Sequence, residues 1–416
     1  MTDPIRVLHF ADLHVGMENY GKLDPQTGIS SRIRDFLDRL DEVCAYAVDH
    51  AADLVLFAGD AFKTRDPDPT QQREFARRIK RLAERVPVFM LVGNHDLPNL
   101  AARATSIDIF STLEVPNITV GRAPGGRVFE TRRGPLFLAW MPFPVRNRLL
   151  AREEHREASL EALDRALEAV VTETLADLAG QAAEQPMPRL LAGHFTVAGA
   201  VFGSERSVMT GRDLAVPKSA LAEPAWDYVA LGHIHKHQDL TRGDRETRPE
   251  MPPLVYSGSL ERIDFGEAAE PKGFCWLELA RGATRWEFVP VQARPFVVVD
   301  VDARAAEDPT ALVVERLAAR SLRGAIVRVK VRLDEGQEAQ LRRREVEQAL
   351  TTAEVANIAG VGVEVERAVR VPGVGAAAEA LTPAQWLERY CAAKNKPAER
   401  TQQLLQTAES LWQDPG

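Results

Sequence analysis

At 416 residues, 45% hydrophobic and 27% charged, the chain is long enough for two or three domains, and no apolar run reaches the roughly 18 residues of a membrane span. It enters a strand-like run almost at once, leaving no room for a secretory signal, and Cys44, Cys275 and Cys391 are too few and too scattered for a disulfide framework, so a cytoplasmic protein with reduced thiols is expected. The net charge of −8 excludes little, because nucleic-acid binding depends on local patches and not on the global sum.

In chain order, the apolar run Ile5–Phe10 predicts a strand that delivers Asp12 and His14 just beyond its end. Ile33, Phe36, Leu37, Leu40, Val43, Ala47 and Val48 then follow helical spacing. The strand at residues 54–58 runs into Gly59-Asp60, and an arginine-rich amphipathic helix follows, with Phe75, Ile79, Leu82 and Ala83 on its apolar face. Val88–Val92 runs into Gly93-Asn94-His95-Asp96. After a strand at Leu136–Met141 and a long helix over residues 157–178, residues 190–192 lead to Gly193-His194, and residues 228–231 to Gly232-His233-Ile234-His235. Shorter strands at residues 254–256 and 274–279 close a first domain, residues 1–285. Strand–helix alternation followed by closely spaced strands predicts an α/β sandwich, two sheets flanked by helices.

A small α+β domain is expected over residues 286–371, with strands at 296–301, 325–333 and 361–365 and helices at 309–322 and 342–350. A Pro/Gly/Ala-rich linker spans 372–383, and two amphipathic helices form a hairpin over 384–416. Trp386, Leu387, Tyr390, Leu404, Leu405 and Trp412 mark the apolar face of that hairpin. They suit docking to a partner or packing on the chain's own body.

The same event recurs five times: an apolar strand ends, and Asp, His or Asn appears within a few positions. Carboxyl ends of strands in such sheets share one edge, where ligand sites gather. Asp12, His14, Asp60, Asn94, His194, His233 and His235 are thereby expected to form a metal site for two divalent ions, with Asp60 as the bridging carboxylate. Oxygen and imidazole donors without thiolate suit Mn²⁺, with Mg²⁺, iron or zinc as other candidates. His95, adjacent to Asn94, is left to face substrate as the catalytic histidine, protonating the leaving oxygen or stabilising charge on phosphorus, with Asp96 either orienting it or capping the following turn. His237 is read as surface or a supporting residue, His9 as core or a supporting residue, and His50 and His155 as helix surface. Arginine clusters at 65–85, at 122–133 and at Arg146, Arg148, Arg152 and Arg156 are either solvated faces or local basic patches. In the segment Tyr256–Glu267, Ser257 and Ser259 can touch phosphate, or the segment is a turn braced by Glu261 and Arg262.

Asp12-x-His14, Gly59-Asp60, Gly93-Asn94-His95-Asp96, Gly193-His194 and Gly232-His233-x-His235 together resemble the calcineurin-like metallophosphoesterase superfamily. Phe10-Ala11-Asp12-Leu13-His14-Val15-Gly16, Gly59-Asp60-Ala61-Phe62 and Tyr256-Ser257-Gly258-Ser259-Leu260-Glu261-Arg262-x-Asp264-Phe265-Gly266-Glu267 resemble, more narrowly, the SbcD family of DNA-repair nucleases. The resemblance implies a metallophosphoesterase sandwich holding two Mn²⁺, a small capping domain that guides DNA, and a tail gripping the coiled coil of an SbcC-type ABC ATPase. It also implies a homodimer within a heterotetramer. The activity implied is 3′→5′ exonuclease action on duplex DNA and endonuclease action on single strands and hairpins, in DNA repair, recombination and replication.

By the same resemblance Asp12, His14, Asp60 and His235 would hold one ion, and Asp60, Asn94, His194 and His233 the other. Lys63, Arg65, Ser257, Ser259 and Arg262 are the expected DNA contacts. Lys63 and Thr64 stand where some relatives carry a second histidine, which leaves His95 to act alone. The rival expectations are a metallophosphoesterase for non-DNA phosphoesters and a non-catalytic scaffold.

Overall fold

The structure, a computed structural model, describes residues 3–98, 103–145, 159–203, 214–366, 382–394 and 396–412. Arg146, Arg148, Arg152, Arg156, His155 and most of the expected linker fall outside the described residues. The chain divides into two compact units, the first made of Met1–Val299, Arg320–Arg328 and Ala349–Gly360.

In the first unit, β1 (Ile5–Phe10), β2 (Leu54–Phe57), β3 (Val88–Leu91) and β4 (Ile118–Gly121) pair in parallel, with Phe10 opposite Phe57 and Phe57 opposite Met90. β5 (Gly125–Thr131) and β6 (Gly134–Met141) form a hairpin that begins a second sheet. β7 (Arg189–His194) joins β6 in parallel, and β8 (Thr196–Val197) and β9 (Ala215–Val216) make a short separate ladder. β10 (Tyr228–Gly232), β11 (Gln238–Asp239) and β12 (Leu254–Tyr256) complete the order β11-β12-β10-β7-β6-β5. β13 (Gly273–Leu279) and β14 (Arg285–Pro290) return antiparallel to the first sheet, whose order is β14-β13-β1-β2-β3-β4. The expected boundary after residue 285 thus falls at the first residue of an edge strand of this sheet, and the first unit continues to Val299.

Side chains of the inner strands alternate between two cores, which is why those runs read as continuously apolar. Ile5 and Val7 of β1 face inward with Leu54, Leu56, Phe89 and Leu91, against Leu138, Leu190, Ala192 and Ala230 of the second sheet. Leu8 and Phe10 face outward onto α1 (Ser31–Asp49) and α2 (Pro69–Ala83), through Ile33, Leu37, Leu40, Phe75 and Ile79. The short helix α3 (Asp108–Thr112) adds Phe110 to that layer. On the far face of the second sheet, α4 (Leu160–Ala183) packs Leu167, Val171, Leu175 and Leu178 against Leu191, Val229 and Leu231. The expected two-sheet sandwich flanked by helices is what forms.

The second unit comprises Asp300–Ala319, Val329–Gln348 and Val361–Gly416. It holds the greater part of a three-stranded sheet in the order β15 (Phe296–Asp302), β16 (Ile326–Asp334), β17 (Asn357–Glu366), with α5 (Pro309–Ala318) and α6 (Arg343–Thr352). In β16, Val329, Val331 and Leu333 are buried while Lys330, Arg332 and Asp334 are exposed, the period-2 signature of a sheet covered on one face. α7 (Pro383–Ala393) and α8 (Ala398–Trp412) form the expected hairpin; α7 opens on a capping box in which Thr382 and Gln385 bond reciprocally. Trp386 and Leu387 are half-buried, Tyr390 is 56% exposed, and Leu404 and Leu405 are half-buried. All three thiols are free, in accord with the absence of a disulfide framework. Among the described residues no helix is long and apolar enough to cross a membrane.

Candidate metal centre

The parallel strands β1, β2 and β3 end on the same edge of the first sheet, and β7 and β10 end on the matching edge of the second. The residues just beyond those ends carry the chemistry. Asp12, His14, Asp60, His194, His233 and His235 are all at most 6% exposed, and Asn94 and His95 are half-buried.

Delivering them requires backbone that ordinary L-residues avoid. Asp12, His14, Asp60 and His233 have φ of 52°, 48°, 61° and 95°, and such positions cost about 1–3 kcal/mol each unless the surroundings impose them. Here they do. The amides of Asp12, Leu13 and His14 donate to the carbonyls of Gly59 and Asp60 at 3.0–3.1 Å, locking the two strand-end turns together. The amide of His233 donates to both carboxylate oxygens of Asp12 at 3.0 Å, tying β10 to β1. The glycines that precede the ligands leave room for them. A Cβ on Gly93 would lie 2.1 Å from Asp60 Oδ1, and one on Gly59 2.3 Å from His194 Nδ1.

Two donor groups share Asp60. His14 Nε2 lies 3.6 Å and His194 Nε2 3.4 Å from Asp60 Oδ2, which puts this carboxylate between two clusters. One cluster gathers Asp12, His14 and His235, the other Asp60, His194 and His233, and donor atoms within each lie within 4.8 Å of one another. Asn94 Oδ1 sits 3.0 Å from His194 Nε2 and 2.9 Å from His233 Nδ1, within the second cluster. All seven sequence-predicted ligands are brought together.

The donor chemistry fits cations. His194 Nδ1 donates to the carbonyl of Ala58 at 2.6 Å, and His235 Nδ1 bonds Glu267 Oε1 at 3.1 Å, so the lone pair of each neutral ring lies on Nε2, facing the centre. His14 Nε2 and His235 Nε2 approach to 3.0 Å, a pairing that a proton on one ring or a cation between the two satisfies. Burial alone would raise the Asp60 carboxyl, but the His194 and His95 rings outweigh it and hold Asp60 well below the usual carboxylate range. Burial alone would lower His194, yet Asp60 pushes it up to about 9. The field that favours a proton on His194 equally favours a metal ion. Two divalent cations against two carboxylates leave a net positive centre for a phosphate.

His95 adjoins the clusters, with a ring nitrogen within 4.8 Å of donor atoms of His14 and Asp60 and its ring edge-on to that of His14. Its backbone amide donates to Asp60 Oδ1 at 2.8 Å, and its Nδ1 bonds the carbonyl of Lys63 at 2.7 Å, leaving Nε2 free. The expectation that Asp96 orients His95 is corrected here. Asp96 is fully buried, and its carboxylate accepts from the amides of Gly93, Asp60 and Ala61 at 2.9–3.0 Å, so it braces the turns that carry the ligands. Burial, and then the charge of Asp60, raise its carboxyl to about 6.

Three expected DNA contacts are also corrected. Ser257 and Ser259 are fully buried, with hydroxyls spent on the carbonyls of Gly258 and Glu261. The Arg262 guanidinium donates to the carbonyls of Ala293, Arg294 and Glu270. The segment is a braced turn, its serine hydroxyls bonded within it and Arg262 tying it to residues 270, 293 and 294. Lys63 is half-buried and Arg65 exposed. The arginines of α2 pair with acids, Arg78 and Arg81 with Asp41 and Arg73, Arg77 and Arg78 with Glu74, and Arg122 pairs with Asp108. His237 bonds the carbonyl of Tyr256 and stacks on Phe288 at 4.1 Å, away from the ligands. His9 is buried against the Tyr228 hydroxyl, and His50 is exposed and stacked on Tyr46. Sequence reasoning missed the Lys63 carbonyl, which no side chain signals, and Glu267, which stood unassigned at the end of the motif.

A family model described as calcineurin-like phosphoesterase matches residues 5–237. The chain is 29% identical over 302 residues to the SbcD component of the SbcCD nuclease of Rhodobacter capsulatus, covering 67% of each chain. It is 28% identical over 275 residues to the SbcD component from Escherichia coli, covering 64% of this chain and 63% of the relative. To the SbcD component from Bacillus subtilis it is 26% identical over 317 residues, 70% of this chain and 71% of the relative. The matched span takes in more than half of the 416 residues and every candidate ligand from Asp12 to His235. This is a metal-dependent phosphoesterase, and the chain belongs to the calcineurin-like phosphoesterase family.

Proposed function

We propose that the protein is a Mn²⁺-dependent DNA nuclease, acting as a 3′→5′ exonuclease on duplex ends and an endonuclease on single strands and hairpins. It serves cytoplasmic DNA repair, recombination and replication beside an SbcC-type ATPase. The observation that carries this reading is the likeness to the SbcD component of SbcCD nucleases over about two thirds of the chain.

Asp12, His14, Asp60 and His235 would hold one ion, and Asp60, Asn94, His194 and His233 the other, with Asp60 in both sets. When bound, the two cations neutralise the phosphoryl oxygens and polarise the phosphorus–oxygen bond. The protein's own share is positional and protonic. Asp96 and the interlocked turns hold the ligands in place. His95, its Nδ1–H fixed by the Lys63 carbonyl, would as the imidazolium pass its Nε2 proton to the departing oxygen and be left as the neutral ring. α7 and α8 are the segment that would dock on the ATPase coiled coil, with Trp386, Leu387, Tyr390, Leu404, Leu405 and Trp412 as its apolar face; for Trp412 this rests on the sequence alone. The small second unit would guide DNA, with the two chains of a homodimer inside a heterotetramer.

The deciding experiment incubates purified protein with Mn²⁺ and end-labelled linear duplex, with and without the ATPase. Progressive shortening from 3′ ends is expected. Hydrolysis of bis-p-nitrophenyl phosphate without attack on duplex would move the substrate to other phosphoesters, and inertness toward both would leave a scaffold.

A further inference from the structure

Behind His235 lies a set of charged groups that the reaction as described does not use. Glu267 and Lys272 both have side chains shut off from solvent, and they pair at 2.9 Å through Glu267 Oε2. The other oxygen, Oε1, faces His235 Nδ1 at 3.1 Å. The amide of Ile263 donates to Oε2 at 3.0 Å, and Asp264 caps the single turn Phe265–Glu267 through the amide of Gly266, so the carboxylate is fixed from its own backbone outward. Lys272 Nζ also reaches the His235 carbonyl at 3.2 Å, Ser259 Oγ at 2.9 Å and Glu270 Oε2 at 3.1 Å. The pair therefore grips His235 twice, by its ring and by its backbone.

A buried ion pair is a poor way to add stability, since well-packed apolar residues do as well or better. What it supplies here is direction. We propose that Glu267, held by Lys272, is a positioning residue that keeps the His235 proton on Nδ1 and turns its Nε2 lone pair into the centre. This rests on the metal reading of the site. Without that acceptor the ring is free to carry its proton on Nε2, where a metal cannot bind.

The test uses the full chain and Mn²⁺ alone. Wild-type protein is expected to bind two ions by electron paramagnetic resonance titration, and long-range ¹H–¹⁵N spectra of its imidazoles to place the His235 proton on Nδ1. The double variant Glu267→Leu/Lys272→Met removes both charges together, so it leaves neither one buried and unpaired. It should keep one ion at wild-type affinity and bind the other about 10–100-fold more weakly, the usual effect of losing a ligand's supporting partner. Undiminished binding of both ions by a folded double variant would reduce the pair to a brace. If that variant does not fold, the wild-type spectrum decides alone: a proton on Nε2 of His235 overturns the proposal. Failure of the wild-type protein to bind Mn²⁺ would instead refute the metal reading itself.

Discussion

His95 and Gly93 sit two residues apart and fail in opposite ways when changed. The contact between residue 95 and Asp60 is made by the backbone amide, so His95→Ala keeps it and loses only the ring. Two Mn²⁺ should still bind, while cleavage falls about 10²–10⁴-fold, the range for loss of a positioned general acid. Cleavage at the wild-type rate would remove His95 from the reaction. Gly93→Ala brings a methyl to 2.1 Å from Asp60 Oδ1, a collision with the shared carboxylate and not with a yielding side chain. The expected result is a folded protein, destabilised by about 1–3 kcal/mol as for overpacked sites, with Mn²⁺ affinity down at least tenfold. Circular dichroism and metal titration read the two effects separately. Asp96 is instructive at the same scale. Its neighbour in sequence is a histidine, which suggested a catalytic partnership, yet its oxygens answer three backbone amides from two turns. Side-chain identity does not reveal which unpaired amides a fold will leave nearby.

Among the elements, strands proved the most legible, because burial on both faces writes an unbroken apolar run and their carboxyl ends name the ligands. β1 and β12 match their expected bounds, β7 runs on to include His194, and β10 runs one residue on to Gly232, just before His233. The edge strands β4, β5 and β14 did not stand out, since partial exposure mixes polar residues into them. Helix α1 was readable from its periodicity, and its start is set by Ser30, whose side chain accepts from the amide of Arg32. Ser30→Ala should cost about 1 kcal/mol, as lost N-caps do, seen as a lower urea midpoint with unchanged slope; no change would mean another group replaces the cap. The tail is independent of the ligand set. Removing residues 382–416 should spare Mn²⁺-dependent cleavage and abolish capture by the ATPase. An inactive or insoluble truncation would make the hairpin part of the fold's own packing.

At the scale of the molecule, the candidate metal centre joins two sheets whose other contacts are an apolar interior and a few polar pairs such as His9 with Tyr228 and Arg133 with Asp53. Asp12, Asp60 and Asn94 follow strands of the first sheet, His194 ends a strand of the second, and His233 and His235 follow another. A carboxylate shared between the clusters, and an amide of β10's end held by Asp12, make the edge one assembly within the first unit. Cations bound there interact with both sheets at once and hardly at all with an unfolded chain, in which these residues are far apart. Stability should then rise with free Mn²⁺ by about 2.7 kcal/mol for a site filled at 100 times its Kd, as linkage requires. Calorimetry with and without chelator would read it as an upward shift of the first unit's transition. Asp60→Asn should lose most of that shift, because it removes the charge facing both His14 and His194, whereas Ser30→Ala should lower the transition and keep the shift intact. A wild-type transition that ignores saturating Mn²⁺ would mean that the edge residues hold each other, and not an ion.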